Sequence, residues 1–553
     1  MRYCCIKILI FIYLGILSFS GFAQLNRRGT PFSSLYQIDQ PTSADRILTP
    51  PNKEVVEAED ILHPIPYRFA INLPVNVWIF DPGSGIELPG NKLMYRYTIH
   101  APGAKAITVY FDQFFIPEGG KLFLYNQEKS KIIGAFTAMN NNSEKLFSTA
   151  LIPGDRIILE YNQAAGISEV PQLHISDIAY AYRGVPEFKE ITGFGSSGPC
   201  EVNVNCVEGA DWQDEKKGVM RIGVKKFGAT FWCSGSLLNN TRQDKTPYVL
   251  TADHCGNGAT PQDISEWIFY FNYESVTCPN PPLEPLSRSM TGATVKAASG
   301  DVNIKGSDFF LLMLNQTIPD TFDVWFNGWN RRDTASQYGV GIHHPQGDIK
   351  KISTYTTPLI STNWNGHQEM THWELTWSGT LNGHGVTEGG SSGSPLFDPV
   401  GRIVGALTGG EASCDSFALN LPDYYGKFSW SWDMNGPDTS ERLDHWLDPD
   451  NTGVEVLDGI PLGIPEPIII PAELQVYPNP SSGIIHLKSK LFDFGNIIRI
   501  TIFDSWGRPV LRSGRNIDDS DEIQLDLSTL PNGFYVIRIQ LEDQILTGRI
   551  IRQ

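Results

Sequence analysis

Apolar and polar residues alternate with a period of two in many short runs along this chain, the pattern of strands with one buried face. Residues 93–99, 106–111, 121–125 and 156–161 read this way, separated by turns such as Pro117-Glu118-Gly119-Gly120 and Pro153-Gly154-Asp155. They predict a small β-sandwich over residues 24–194. From 195 to 460, short β-like runs, glycine-rich turns and few helical patterns predict β-barrels, and two packed barrels leave a cleft between them. Residues 441–447 read as a short closing helix. A Pro/Ile-rich linker, 461–473, follows. Residues 474–553 return to strands, notably 498–503 and 533–539, and end in the basic-apolar run Arg549-Ile550-Ile551-Arg552.

Composition narrows the class. At 553 residues the chain exceeds one ordinary domain. Its 43 basic against 61 acidic residues, net charge −18, exclude nucleic acid as the main partner and favour basic peptides. The N-terminus has the form of a secretory signal over residues 1–23: Arg2 and Lys7, an apolar run over 8–19, then Gly21-Phe22-Ala23. No later run is long and apolar enough for a membrane-spanning helix. With Cys4 and Cys5 in the signal, Cys200, Cys206, Cys233, Cys255, Cys278 and Cys414 remain. An even count in an exported chain implies disulfides, and the spacings are not those of a metal cluster. No cofactor or metal is expected.

Three frames carry candidate chemistry. In Thr387-Glu388-Gly389-Gly390-Ser391-Ser392-Gly393-Ser394-Pro395 a tight turn presents a hydroxyl. With Ser392 as nucleophile, the N–H groups of Gly390 and Ser392 can stabilise an oxyanion. In Thr251-Ala252-Asp253-His254-Cys255 an apolar strand delivers His254 to a loop, and a disulfide beside the imidazole would hold a general base rigidly. In Gly306-Ser307-Asp308-Phe309 an acid opens an apolar strand, either as a strand-end cap or as the partner of an imidazole N–H. The order along the chain is His, Asp, Ser.

These three frames resemble the chymotrypsin clan, and bacterial lysyl endopeptidases in particular. Further motifs in the same order carry the likeness: Ser234-Gly235-Ser236-Leu237-Leu238-Asn239-Asn240-Thr241, Gly328-Trp329-Asn330-Arg331-Arg332-Asp333, Ile342-His343-His344-Pro345 and Trp446-Leu447-Asp448-Pro449. The resemblance implies an all-β chain whose protease domain, 195–460, is a chymotrypsin-like double β-barrel. An N-terminal β-sandwich propeptide and a small C-terminal β-sandwich flank it; a binding module is the alternative for the first. It implies a secreted serine endopeptidase that cleaves after lysine in polypeptides, as a monomer, with Ser392 as nucleophile, His254 as base and Asp308 as orienting acid. It also implies disulfides Cys200–Cys414, Cys206–Cys278 and Cys233–Cys255, which the sequence alone cannot select among fifteen connectivities.

For specificity, the resemblance puts Asp423 at the base of the lysine pocket, with Asp415 or Glu388 as alternatives. Leu407-Thr408-Gly409-Gly410 resembles the strand that pairs with substrate backbone. Thr408 stands where some lysyl endopeptidases have histidine, which bears on pH profile or rate. Trp364 resembles a tryptophan that packs near the catalytic histidine. Animal enzymes of the clan pair a new N-terminal amine with an acid before the nucleophile; Ser391 stands there, so removal of the leader should unblock a preformed site. Lys189-Glu190 is the candidate self-cleavage bond. Tyr477-Pro478-Asn479-Pro480, Asp504-Ser505-Trp506-Gly507-Arg508 and Leu530-Pro531-Asn532-Gly533-Phe534-Tyr535 resemble the sorting domain of type IX secretion substrates. That implies the type IX machinery as a partner and a product that crosses the periplasm to be released or held at the outer-membrane surface. The rival readings are a glutamyl or broader-specificity endopeptidase and an inactive protease-like adhesin. The turn Asp448-Pro449-Asp450-Asn451 reads as solvated rather than calcium-binding.

Overall fold

The computed structural model describes residues 29–39, 41, 43–183, 194–285, 287–300, 306–364, 369–463, 474–489, 497–504, 509–516, 522–540 and 545–553. The signal, the Lys189-Glu190 bond, most of the linker and residues 505–508 of the tail motif lie outside the described residues. The chain divides into two units, Met1–Gly463 and Ile464–Gln553.

The first unit opens with a sandwich. Strands Lys92–His100, Arg156–Gln163, Gly120–Asn126 and Ile132–Phe136 lie side by side in that order, and Tyr67–Trp78, Gln172–Ala181 and Ala106–Phe115 belong to a second sheet. The alternation seen in the sequence puts Ile99, Leu122, Leu124, Ile157 and Leu159 of one sheet into a core with Val109, Phe111, Leu173, Ile175 and Ile178 of the other. Each such side chain contributes roughly 1.5–3 kcal/mol by leaving water. The helix Lys53–Leu62, absent from the sequence reading, starts where the Asn52 side chain accepts from the N–H groups of Glu54 and Val55.

The second sheet does not end with the leader. Tyr67–Trp78 pairs antiparallel with Ala229–Leu238, matching Ile71 to Ala229 and Tyr67 to Trp232. Phe69 stacks on Trp232 with centroids 4.1 Å apart. Phe69, Ala70, Tyr110, Trp232, Ile268 and Tyr270 share one core across this joint. Buried Lys225 bridges it too, bonding Glu266 at 2.7 Å and the leader's Asp177 at 3.0 Å.

Beyond that joint the same sheet rolls into the first barrel. Val219–Lys226 pairs along Ala229–Leu238, whose far end pairs with Tyr248–Ala252, which in turn pairs with Phe309–Leu314. Closure comes from one bent segment. Arg288–Thr291 pairs with Ile268–Phe271, and after Gly292 at φ +86° the chain continues as Ala293–Ala298 against Phe309–Leu314. Glycine suits this corner because a side chain there would be strained.

The second barrel runs Lys351–Tyr355, Gly339–His343, Pro395–Phe397, Arg402–Gly410, Asp423–Lys427, His372–Leu375, Ile360–Thr362, and its two edge strands are consecutive in the chain. The closing helix is a 3-10 turn Thr439–Glu441 and an α turn Asp444–Leu447. Three disulfides join Cys200 to Cys414, Cys206 to Cys278 and Cys233 to Cys255.

The second unit has a three-stranded and a four-stranded sheet with a shared core that includes Ile485, Leu487, Ile500, Ile502, Leu525, Ile537 and Ile550. Its Tyr-Pro-Asn-Pro motif has a mechanical role. The Asn479 side chain donates to the carbonyl of Arg549 and accepts from the N–H of Ile551.

Candidate active site

Two antiparallel strands bring His254 and Asp308 together. Tyr248–Ala252 ends where Phe309–Leu314 begins, with Ala252 opposite Phe309, so the residues just past each end must meet. His254 Nδ1 lies 2.7 Å from Asp308 Oδ2, and the His254 backbone N–H donates to Oδ1 at 2.9 Å. Asp308 is fully buried and sits at φ +55°, a left-handed backbone that costs of order 1–3 kcal/mol. Its neighbour Ser307 holds it there: the Ser307 N–H donates to Asn435 Oδ1 at 3.1 Å, and Ser307 Oγ meets Ser431 Oγ at 2.8 Å. The Cys233–Cys255 bridge pins the residue after His254. Buried Lys226 donates to the His254 carbonyl at 2.7 Å. His254 Nε2 is buried and has no partner among the described residues.

The Ser392 turn is tied to the strand of Cys233 through Ser234, while no hydrogen bond joins Ser392 Oγ to His254 Nε2 among the described residues. The Ser234 N–H donates to the Ser392 carbonyl at 2.8 Å, and Ser234 Oγ donates to the Gly390 carbonyl at 3.0 Å. Gly393 (φ +80°) lies so close to the histidine strand that a Cβ on it would be 2.2 Å from Thr251 Oγ1. Behind the turn, the Gln346 N–H donates to the Gly389 carbonyl at 2.6 Å. The N–H groups of Gly390 and Ser392 donate to no chain atom among the described residues. Backbone donors left unpaired in this way are of the kind a developing oxyanion needs.

Asp423 begins the strand Asp423–Lys427 and is fully buried. Its Oδ2 accepts from Trp377 Nε1 at 2.6 Å and Thr387 Oγ1 at 2.7 Å, and Oδ1 accepts from the Ala412 N–H at 3.3 Å. Burial nevertheless pushes the carboxyl up to about 6, against the pull of those bonds. No cation pairs with it among the described residues. Of the alternatives, Asp415 is exposed in a turn, where it accepts from the Phe417 N–H. Glu388 accepts from the Gly198 N–H at 3.0 Å, and burial raises its carboxyl. Glu201, Glu388 and Cys414 cluster closely enough to suggest a metal, yet the sulfur belongs to a disulfide, leaving two carboxylates.

Thr408 sits at a bulge, where Leu407 faces Tyr425 and Gly409 faces Tyr424. On its other side the strand's last partner is Pro395 opposite Ala406, so Thr408 and Gly409 lie beyond that ladder. Trp364 stacks on buried His372 at 5.6 Å and meets Tyr424 edge-on at 5.5 Å. His372 bridges Thr371 Oγ1 and Thr408 Oγ1 at 2.7 and 3.0 Å. An imidazole thus lies beside Thr408, supplied by another strand. Sequence reading missed His372 and Trp377, and gave Thr387 of the serine frame no role toward Asp423. The first two carry no local motif, and only the barrel register reveals them.

Several known proteins are similar to parts of this chain. Residues 194–426 match the family described as lysyl endopeptidase, C-terminal domain, and residues 475–553 match the secretion system C-terminal sorting domain. A lysyl endopeptidase from Pseudomonas aeruginosa is 25% identical over 363 residues, covering 62% of this chain and 74% of that protein. Among solved structures, a protease from Arthrobacter nicotinovorans is 19% identical, covers 38% of this chain and 90% of its own, and has a TM-score of 0.27. A thermostable serine protease from an extremophilic microorganism is 14% identical, with 38% and 92% covered and a TM-score of 0.27. The sorting domain marks the chain for export, to the medium or the cell surface. The protein is therefore a serine endopeptidase with a chymotrypsin-like fold, in which residues 194–426 are similar to the lysyl endopeptidase C-terminal domain and a secretion sorting domain follows.

Proposed function

We propose that this endopeptidase cleaves on the carboxyl side of lysine, with Ser392 as nucleophile, His254 as general base and Asp308 as the acid that orients it. Asp308 holds Nδ1–H, which leaves Nε2 free to take the serine proton and later return it to the leaving amine. Attack gives a tetrahedral intermediate whose oxyanion lies against the N–H groups of Gly390 and Ser392, and it collapses to the acyl-enzyme as the protonated amine leaves.

One observation carries the lysine reading: Asp423 is a buried carboxylate, held by three donors, with no cation beside it. A substrate ammonium would supply the missing charge in a site shielded from water. A glutamate side chain would meet repulsion. The test is cleavage of matched peptides with Lys, Arg, Glu or Phe before the scissile bond, by wild type, Ser392→Ala and Asp423→Asn. Loss of lysine cleavage in the first variant and a sharp fall in the second support the proposal. Lysine cleavage indifferent to Asp423 shifts the pocket acid to Glu388. A processed wild type without activity puts the adhesin in front.

The leader is a propeptide in this scheme, and contacts at the cleft support it. Tyr67 packs on Gly389, where a Cβ would be 2.8 Å from its ring, and its hydroxyl donates to Gln346 Oε1 at 3.3 Å. Ile65 lies 3.9 Å from where a Cβ on Gly409 would stand. Residues 65–67 thus occupy walls that substrate needs. Cleavage at Lys189-Glu190 would begin their release.

A further inference from the structure

Ser391 lies between the two candidate oxyanion donors, and its side chain enters a buried chain of hydrogen bonds. Its hydroxyl lies 2.8 Å from His343 Nδ1, and His343 Nε2 lies 2.9 Å from Ser353 Oγ. Both ends fix the proton directions. Ser353 Oγ donates to the Val386 carbonyl at 2.9 Å, so it must accept from His343 Nε2–H. Nδ1 is then an acceptor, and Ser391 Oγ–H donates to it while accepting the Glu388 N–H at 3.2 Å. Every polar atom of the imidazole is used.

Burial, with Lys351 nearby, pushes His343 down to about 3, so the ring is neutral wherever the enzyme works. Glu201 does not reverse this. Its carboxylate is fully buried 3.9 Å from Nε2, and burial with Glu388 beside it favours the protonated form. The link therefore needs no ion pair and no new N-terminal amine.

We propose that His343 is a positioning residue for the nucleophile turn: locked between Ser391 and Ser353, its imidazole fixes the peptide planes that carry the Gly390 and Ser392 N–H groups. The inference rests on the proposed role of Ser392. Because those donors meet the oxyanion rather than the bound substrate, the effect falls on kcat.

The test uses processed full-length enzyme with His343→Leu, Ser391→Ala, both together, and His343→Asn, which keeps an acceptor near Nδ1. Active sites are counted with a serine-reactive phosphonate. Loss of either end should lower kcat by roughly 10- to 100-fold with KM within about twofold. The double variant should be no worse than the weaker single one, and His343→Asn should recover most of the rate. Losses that multiply, a rise in KM at unchanged kcat, or His343→Leu at full kcat with only a lower melting temperature overturn the inference. If Ser392→Ala keeps full activity, the proposed function falls and this inference with it. Phosphonate labelling of Ser392 beside an unimpaired His343→Leu overturns this inference alone.

Discussion

The indole Nε1–H of Trp377, two residues past the strand His372–Leu375, donates over 2.6 Å to Asp423 Oδ2, 46 residues further along. With Thr387 it orients an acid that burial alone would neutralise. The carboxyl, at about 6, is ionised only above that pH. As pH falls through 6 it takes up a proton and loses its attraction for an ammonium. The ratio of kcat/KM for a Lys peptide to that for its Gln counterpart should climb from pH 5 to 7 and then level off. Any titration common to both reactions divides out. In Asp423→Asn the ratio should be low and flat. An equal wild-type ratio at pH 5 and pH 8 would move lysine recognition elsewhere.

Asp308 accepts from both the backbone and the ring of His254. An amide in its place can offer N–H to Nδ1 and so impose the wrong tautomer. Asp308→Asn should lower kcat by about 10⁴-fold while leaving peptide binding near normal. Steady-state kinetics with an inhibitor-binding control check this. A loss under tenfold would make Asp308 a strand-end cap.

Strands and motif frames were legible beforehand, for reasons visible in particular residues. The β-branched and aromatic run at 156–161 marks a strand, and Arg156–Gln163 forms there, buried on both faces. His254, Asp308 and Ser392 each sat in a local frame of small or apolar neighbours. The joint between leader and barrel was not legible. The strand Ala229–Leu238 alternates like any other, and nothing in it says that its first half pairs with residues 67–71. The contacts of His372 and His343 were hidden for a related reason. Their partners Thr408 and Ser391 are 36 and 48 residues away, so barrel register alone makes them neighbours. Lys53–Leu62 has an Asn52 cap in plain view, which the strand-based reading of the leader passed over.

Close approach gives a sharper test of how Asp308 is held. A Cβ on Gly426 would lie 1.7 Å from the carbonyl oxygen of Ser307, the residue before Asp308. Gly426→Ala must push that carbonyl away and turn the aspartate. An ångström of misplacement can cost about 100-fold in rate, and overpacking roughly 1–3 kcal/mol in stability. Both kcat and the melting temperature should fall, with KM little changed. Full kcat would show that the loop yields without disturbing the acid.

The joint at Phe69 and Trp232 bears on how the enzyme becomes active. Their rings stack at 4.1 Å inside a core shared by leader and barrel, and Lys225 adds a buried ion pair across the same joint. Cutting the chain between residues 183 and 194 severs no part of that packing. The cut leader should therefore stay bound, and the nicked protein should elute from gel filtration as one species with little activity. Phe69→Ala removes a buried ring, a change that costs about 3–5 kcal/mol in well-packed cores. Nicked Phe69→Ala should lose its leader and gain activity at least about 100-fold faster than nicked wild type, since 1.4 kcal/mol is a factor of ten. Asp177→Asn should act in the same direction and more weakly. A wild-type leader that separates as soon as the chain is cut would mean that the bond itself, and not this interface, is what keeps residues 65–67 over the cleft.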